Sequence, residues 1–179
     1  MKRLIATTAL LFMVPALALT QHEDHPYRGQ GYFFFGLGTG TVGGYHPVFD
    51  QVGFGGEGFL YKGLGVGAEA AYATWAGPVE GYRHQTWIGS VDVSYHYRRR
   101  AARGAVDPFL LGGFSLYGPT SKGGGRGQPG GNFGGGVNLW LVKHAALRFE
   151  VRDHVNCDPY LPGEDTLSAI SFRVGVTFR

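Results

Sequence analysis

From residue 31 to residue 179 the chain alternates apolar and polar or small side chains with a period of two, in runs of ten residues or more. Successive side chains of a strand point to opposite faces, so such a run builds a sheet with one apolar side. Eight runs read this way: residues 31–41, 51–62, 64–76, 84–97, 107–118, 132–143, 145–155 and 166–179. No stretch between them carries the 3.6-residue period of an amphipathic helix. The expectation is an all-β domain of eight antiparallel strands.

The connections alternate in length. Lys62-Gly63 and Lys143-His144 are tight turns, whereas residues 42–50, 77–83, 118–131 and 156–165 are longer and rich in Gly and Pro. Residues 98–106 (RRRAARGAV) break the alternation, being long and strongly basic. Long strands joined by alternating short and long loops are what an up-and-down transmembrane barrel needs, although a soluble ligand-binding barrel of lipocalin type shares the period.

The two faces separate these readings. Trp87, Val91, Val93, Tyr95 and Tyr97 share one side of the fourth run, and Ser90, Asp92, Ser94 and His96 the other. The third run opposes Leu64, Val66, Ala68, Ala70 and Tyr72 to Gly65, Gly67, Glu69, Ala71 and Ala73. The closing run opposes Ile170, Phe172, Val174, Val176 and Phe178 to Ser171, Arg173, Gly175 and Thr177. The apolar side carries no charge across its middle and ends in aromatics, as a lipid-facing band does. The other side is mostly Gly, Ala and Ser, too small and neutral for a water-facing surface but suited to the crowded axis of an eight-stranded barrel. Val93, Leu139 and Val174 are expected near the middle of the bilayer.

The N-terminus is consistent with export. Lys2 and Arg3 precede an apolar core, and Ala16-Leu17-Ala18 fits a small-x-small cleavage site, so residues 1–18 read as a signal peptide. Residues 19–29 form a polar lead, and the barrel domain is expected over 30–179. Without Lys2 and Arg3 the balance is 14 basic against 13 acidic residues, which gives no reason to expect a nucleic-acid partner. Cys157 is the single cysteine, so no intrachain disulfide forms.

On the alternation, the loop pattern and the closing run AISFRVGVTFR, the chain resembles the small outer-membrane β-barrel family, of the OmpA transmembrane-domain and OmpX type. The resemblance spans about residues 30–179. It implies a monomeric barrel in the outer membrane, in contact with outer-membrane lipid and lipopolysaccharide, and inserted by the barrel-assembly machinery, which reads the closing strand in that family. Here Phe178 is penultimate and Arg179 follows it, where the family usually ends on an aromatic.

Several motifs suggest chemistry. GTGTVG (38–43) has the dinucleotide spacing but is followed by Pro47 and not by a helix. SKGGGRGQPGG (121–131) lacks the G-K-[ST] element of a phosphate loop. HEDH (22–25) has metal-ligand residue types in a polar lead. Lipid A deacylases are small outer-membrane barrels with a lipid-facing His and a Ser two residues on, but His154 is followed by Val155 and Asn156. Cys157, three residues on, falls on the opposite face. No catalytic residue, cofactor or metal is therefore expected. What remains is a set of charges on the polar face: Glu57, Glu69, Asp92 and Glu150 with Arg148, Arg152 and Arg173. They are expected to meet in the lumen as a salt-bridged plug, with a narrow ion path as the alternative. The expected role is structural or one of surface interaction in the cell envelope. A small pore and a lipid-modifying enzyme are the alternatives.

Overall fold

The computed structural model describes residues 29–41, 46–76, 83–97, 104–119, 127–156 and 167–179. The expected signal peptide, HEDH, Cys157 and most of each long connection lie outside the described residues. Eight strands form: β1 (Gly29–Thr41), β2 (Val48–Tyr61), β3 (Leu64–Ala76), β4 (Arg83–His96), β5 (Val106–Pro119), β6 (Gln128–Val142), β7 (Ala145–Asn156) and β8 (Leu167–Phe178). Each pairs antiparallel with its chain neighbours, and β1 pairs with β8, so the sheet closes into a barrel. Closure removes both sheet edges and pairs the backbone groups that hydrocarbon could not satisfy. The strands run 12 to 15 residues, beyond the ~9–11 that a tilted strand needs to cross a bilayer.

The strands reach further than the sequence pattern suggests. β2 begins at Val48, β5 runs to Pro119 and β6 starts at Gln128, so parts of two expected connections, 42–50 and 118–131, are ladder. β1 starts at Gly29, one residue before the expected domain boundary. The added ends of β1, β5 and β6 are Gly, Pro and Gln, which carry no alternation to read. At the first tight turn Lys62 and Gly63 have φ of 39° and 93°, the left-handed pair of a type I′ hairpin, whose twist matches the flanking strands. The register shifts beside both tight turns, between Phe59 and Tyr61 and between Trp140 and Val142.

The polarity of the barrel is inverted. Phe33, Phe54 and Phe172 are 60%, 57% and 68% exposed on the outside, while Arg152 and Arg173 are 0% and 2% exposed within. That distribution excludes the soluble ligand-binding alternative, whose apolar face would be the inner one. Rings end the outer apolar band at both rims. Tyr72 packs edge-on against Trp87 at 5.0 Å near the long connections, and Tyr95 against Tyr97 at 5.1 Å near the tight turns. Midway between Trp87 and Tyr95 on β4 lies Val91, so Val93 sits nearer the tight-turn rim than expected. Leu139 is also displaced toward that rim, since its partners are Val106, the first residue of β5, and Leu147, the third of β7. Val174 pairs with Phe35 and Phe149 and is central.

The interior is not uniformly small. Tyr32, Phe34, Phe49, Phe109 and Trp140 are buried in it. Large side chains face glycines on adjoining strands. A Cβ on Gly53 would come within 2.5 Å of the Phe34 ring, and one on Gly36 within 2.8 Å of the Gln51 amide. These glycines are there for space.

Candidate functional site

The lumen is built from one phase of every strand. On β7 it receives Ala146, Arg148, Glu150, Arg152 and His154, because RFEVRDH alternates with Phe149, Val151 and Asp153 pointing out. Cross-strand register then sets which charges meet.

Arg152 is the hub. Its Nε donates to Glu150 at 2.6 Å, its Nη1 to Asp92 at 2.9 Å, and its Nη2 lies 3.3 Å from Glu69. Arg173 reaches Glu69 at 2.8 Å and Glu150 at 3.3 Å through Nη1, and its Nη2 donates to Gln51 at 3.2 Å. Arg148 donates to Glu150 through Nε at 2.9 Å and lies 3.9 Å from Glu57, an ion pair beyond hydrogen-bond length. Its guanidinium is held between the Tyr32 and Phe109 rings, 4.2 and 4.0 Å from their centroids. Through these contacts Glu57, Glu69, Asp92, Arg148, Glu150, Arg152 and Arg173 form one connected set of ion pairs. No direct pair joins Arg148 to Glu69 among the described contacts. Glu150 bridges all three arginines.

Residues outside that set extend it in both directions. Toward the tight turns, His96 presents Nδ1 to Asp107 at 2.9 Å and Nε2 to both oxygens of Glu57 at 3.2 Å. Both ring nitrogens therefore face carboxyl groups, contacts that an imidazole can satisfy by donating. Glu57 also accepts from Gln30 at 2.7 Å and from the Ser94 hydroxyl. Toward the long connections, Arg173 Nη2 lies 2.9 Å from His154 Nε2, and Tyr117 Oη 3.2 Å from its Nδ1. Arginine cannot accept, so Nε2 is the acceptor and the ring proton is on Nδ1. Asn132 donates to Asp92 at 2.8 Å. The alternation already places His96 and His154 on the lumen face. Their partners come from other strands, and no local pattern announces that.

Above this polar layer, on the long-connection side, the axis is closed by apolar packing. Phe34, Phe49, Ile88, Ala71, Ala73 and Ala169 form a buried cluster with Trp75 and Tyr117 against it. Below it, toward the tight turns, Trp140 is fully buried under Arg179, whose guanidinium lies 4.2 Å from the indole. The lumen is thus aromatic, ionic and aromatic in succession.

The other motifs resolve in place. Gly38 and Gly40 of GTGTVG are strand residues that make room for Phe49 and Trp75. Gln128 to Gly131 of SKGGGRGQPGG belong to β6. His154 faces the lumen, away from lipid. Among the described residues no three His, Cys, Asp or Glu side chains are placed to hold a metal ion.

The fold and site together define a closed eight-stranded transmembrane barrel of inverted polarity with an ion-paired interior. No protein-family model matches the chain. No curated protein matches it either. Solved structures share its architecture. Surface protein A of Neisseria is similar with a TM-score of 0.69 at 10% identity, over 84% of this chain and 96% of that one. The attachment invasion locus protein Ail of Yersinia pestis, in complex with the heparin analogue sucrose octasulfate, has a TM-score of 0.53 at 12% identity, over 85% and 99%. The outer membrane enzyme PagL has a TM-score of 0.54 at 12% identity, over 79% and 97%. These likenesses are of fold.

Proposed function

We propose that this chain is a monomeric outer-membrane barrel with a plugged lumen, and that it serves the cell envelope as a structural element or a surface for contact, without catalysis. The observation that carries this reading is the filled axis. Three arginines are held by four carboxylates between two aromatic layers, and each guanidinium is committed to two or more partners. An ion crossing it would have to break several pairs in low dielectric, where an exposed charge costs several kcal/mol. The fold is shared with a surface protein and an attachment protein, and the inverted polarity supports outer-membrane lipid and lipopolysaccharide as the immediate partners. Insertion by the barrel-assembly machinery belongs to the same reading, which assigns the chain no cofactor and no nucleic-acid partner.

Two measurements test it. Purified protein in planar bilayers is expected to give no steady conductance; sustained single-channel currents would instead establish the pore. The long connections are expected outside the cell, because barrels of this type keep short turns on the periplasmic side. In a Cys157→Ser background, Lys122→Cys should react with an impermeant thiol reagent on intact cells and Lys62→Cys only after lysis. The opposite pattern would reverse the orientation.

A further inference from the structure

The tight-turn rim concentrates positive charge that the net balance of the chain conceals. Lys62 and Lys143 sit exposed at the two turn tips, and Arg179 joins them by donating from Nε and Nη2 to the Lys143 carbonyl at 2.9 and 2.8 Å. The two tight turns contain no acid. At the opposite end the described residues place Asp50 and Asp153, both partly exposed. The other charged side chains described within the strands lie in the lumen. Among the described residues the tight-turn rim is therefore cationic and the opposite end anionic.

The cationic rim lies at a definite depth. Lys62 and Lys143 directly follow lipid-exposed Leu60 and Tyr61 on β2 and Leu141 and Val142 on β6. The Lys62 ammonium stands 4.9 Å from the Tyr61 ring centroid, and Tyr95 packs edge-on against Tyr97 at the same end. Aromatic rings mark the level of lipid headgroups, and ammonium groups beside them meet headgroup phosphates. We infer that the tight-turn rim binds anionic glycerophospholipid headgroups of the leaflet in which it sits. This rests on the barrel spanning a membrane, as proposed above.

The test is lipid selection. Protein reconstituted in bilayers of equal phosphatidylglycerol and phosphatidylethanolamine is released into the gas phase, and its retained lipids are counted by native mass spectrometry. Phosphatidylglycerol should be retained in excess. One Lys or Arg near an anionic surface changes partition about five-fold, so Lys62→Glu/Lys143→Glu should cut the excess by roughly ten-fold or more. Arg83→Gln/Lys122→Gln/Arg126→Gln should leave it unchanged. Both lysines are exposed, so the charge-reversed barrel should still fold; should it not, the unmodified protein's preference and its loss in molar salt decide. Equal retention of the two lipids overturns the inference. So does an excess abolished by the long-connection variant, or full competition by millimolar inorganic phosphate. Failure to insert into any bilayer would instead overturn the membrane reading itself.

Discussion

Arg152→Ala is expected to destabilise the barrel by about 3–5 kcal/mol, the range seen when one partner of a buried ion pair is removed. The guanidinium is fully buried and reaches Asp92, Glu69 and Glu150, so its loss leaves three carboxylates short of a cation in one narrow space. Arg173 still holds Glu69 and Glu150, and Arg148 still holds Glu150, but among the described contacts Asp92 keeps only the Asn132 amide. Equilibrium urea unfolding in lipid vesicles, followed by heat-modifiable gel migration, reads the change. Asp92→Asn should recover part of the loss in the Arg152→Ala background, because the double variant buries one fewer unpaired charge. Additive costs would mean that Arg152 and Asp92 do not meet.

The second large effect lies on the outside. Val91→Arg should cost roughly 2–4 kcal/mol, because it sets a full charge against lipid near the bilayer midplane. Val91 is 58% exposed and lies on β4 midway between Trp87 and Tyr95. Tyr95→Arg, at the rim, should cost roughly 0–1 kcal/mol by the same depth dependence. Folding yield into vesicles and urea midpoints separate the two variants. A Val91→Arg protein that stays folded in water without detergent would show that the outer face is not a lipid face.

The inner variant tests who meets whom, and the outer one tests which way the faces point. Only the second was open to reading from single strands. In RFEVRDH, Phe149 and Val151 fall out of phase with Arg148, Glu150 and Arg152, and no assignment of strand partners changes that. The same rule put Glu57, Glu69, Asp92 and Arg173 on the inner phase of their own strands. It also put His96 and His154 there, although neither is recognisable as part of a network until a partner is known. His96 needs Glu57 from β2 and Asp107 from β5, and Arg173 needs Glu69 from 104 residues away. The inner aromatics were equally hidden. Tyr32 and Phe34 share a phase with Gly36 and Gly38, and only the pairing of β1 with β2 sets their rings over Gly55 and Gly53.

Period-two alternation over eight runs, with tight and long connections in turn, thus determined by itself that the chain is an antiparallel sheet with one apolar face. This is because the face of a side chain depends only on whether its position is odd or even. The tertiary structure decided everything that depends on register. It chose Glu150 as the bridge among three arginines, separated Arg148 from Glu69, and moved Val93 and Leu139 off the bilayer centre. Among the described residues it also set Lys62, Lys143 and Arg179 at one rim and Asp50 and Asp153 at the other. Which end of the barrel a residue occupies depends on the direction of its strand and the closure of the sheet. Both are properties of the whole chain, and no local stretch carries them.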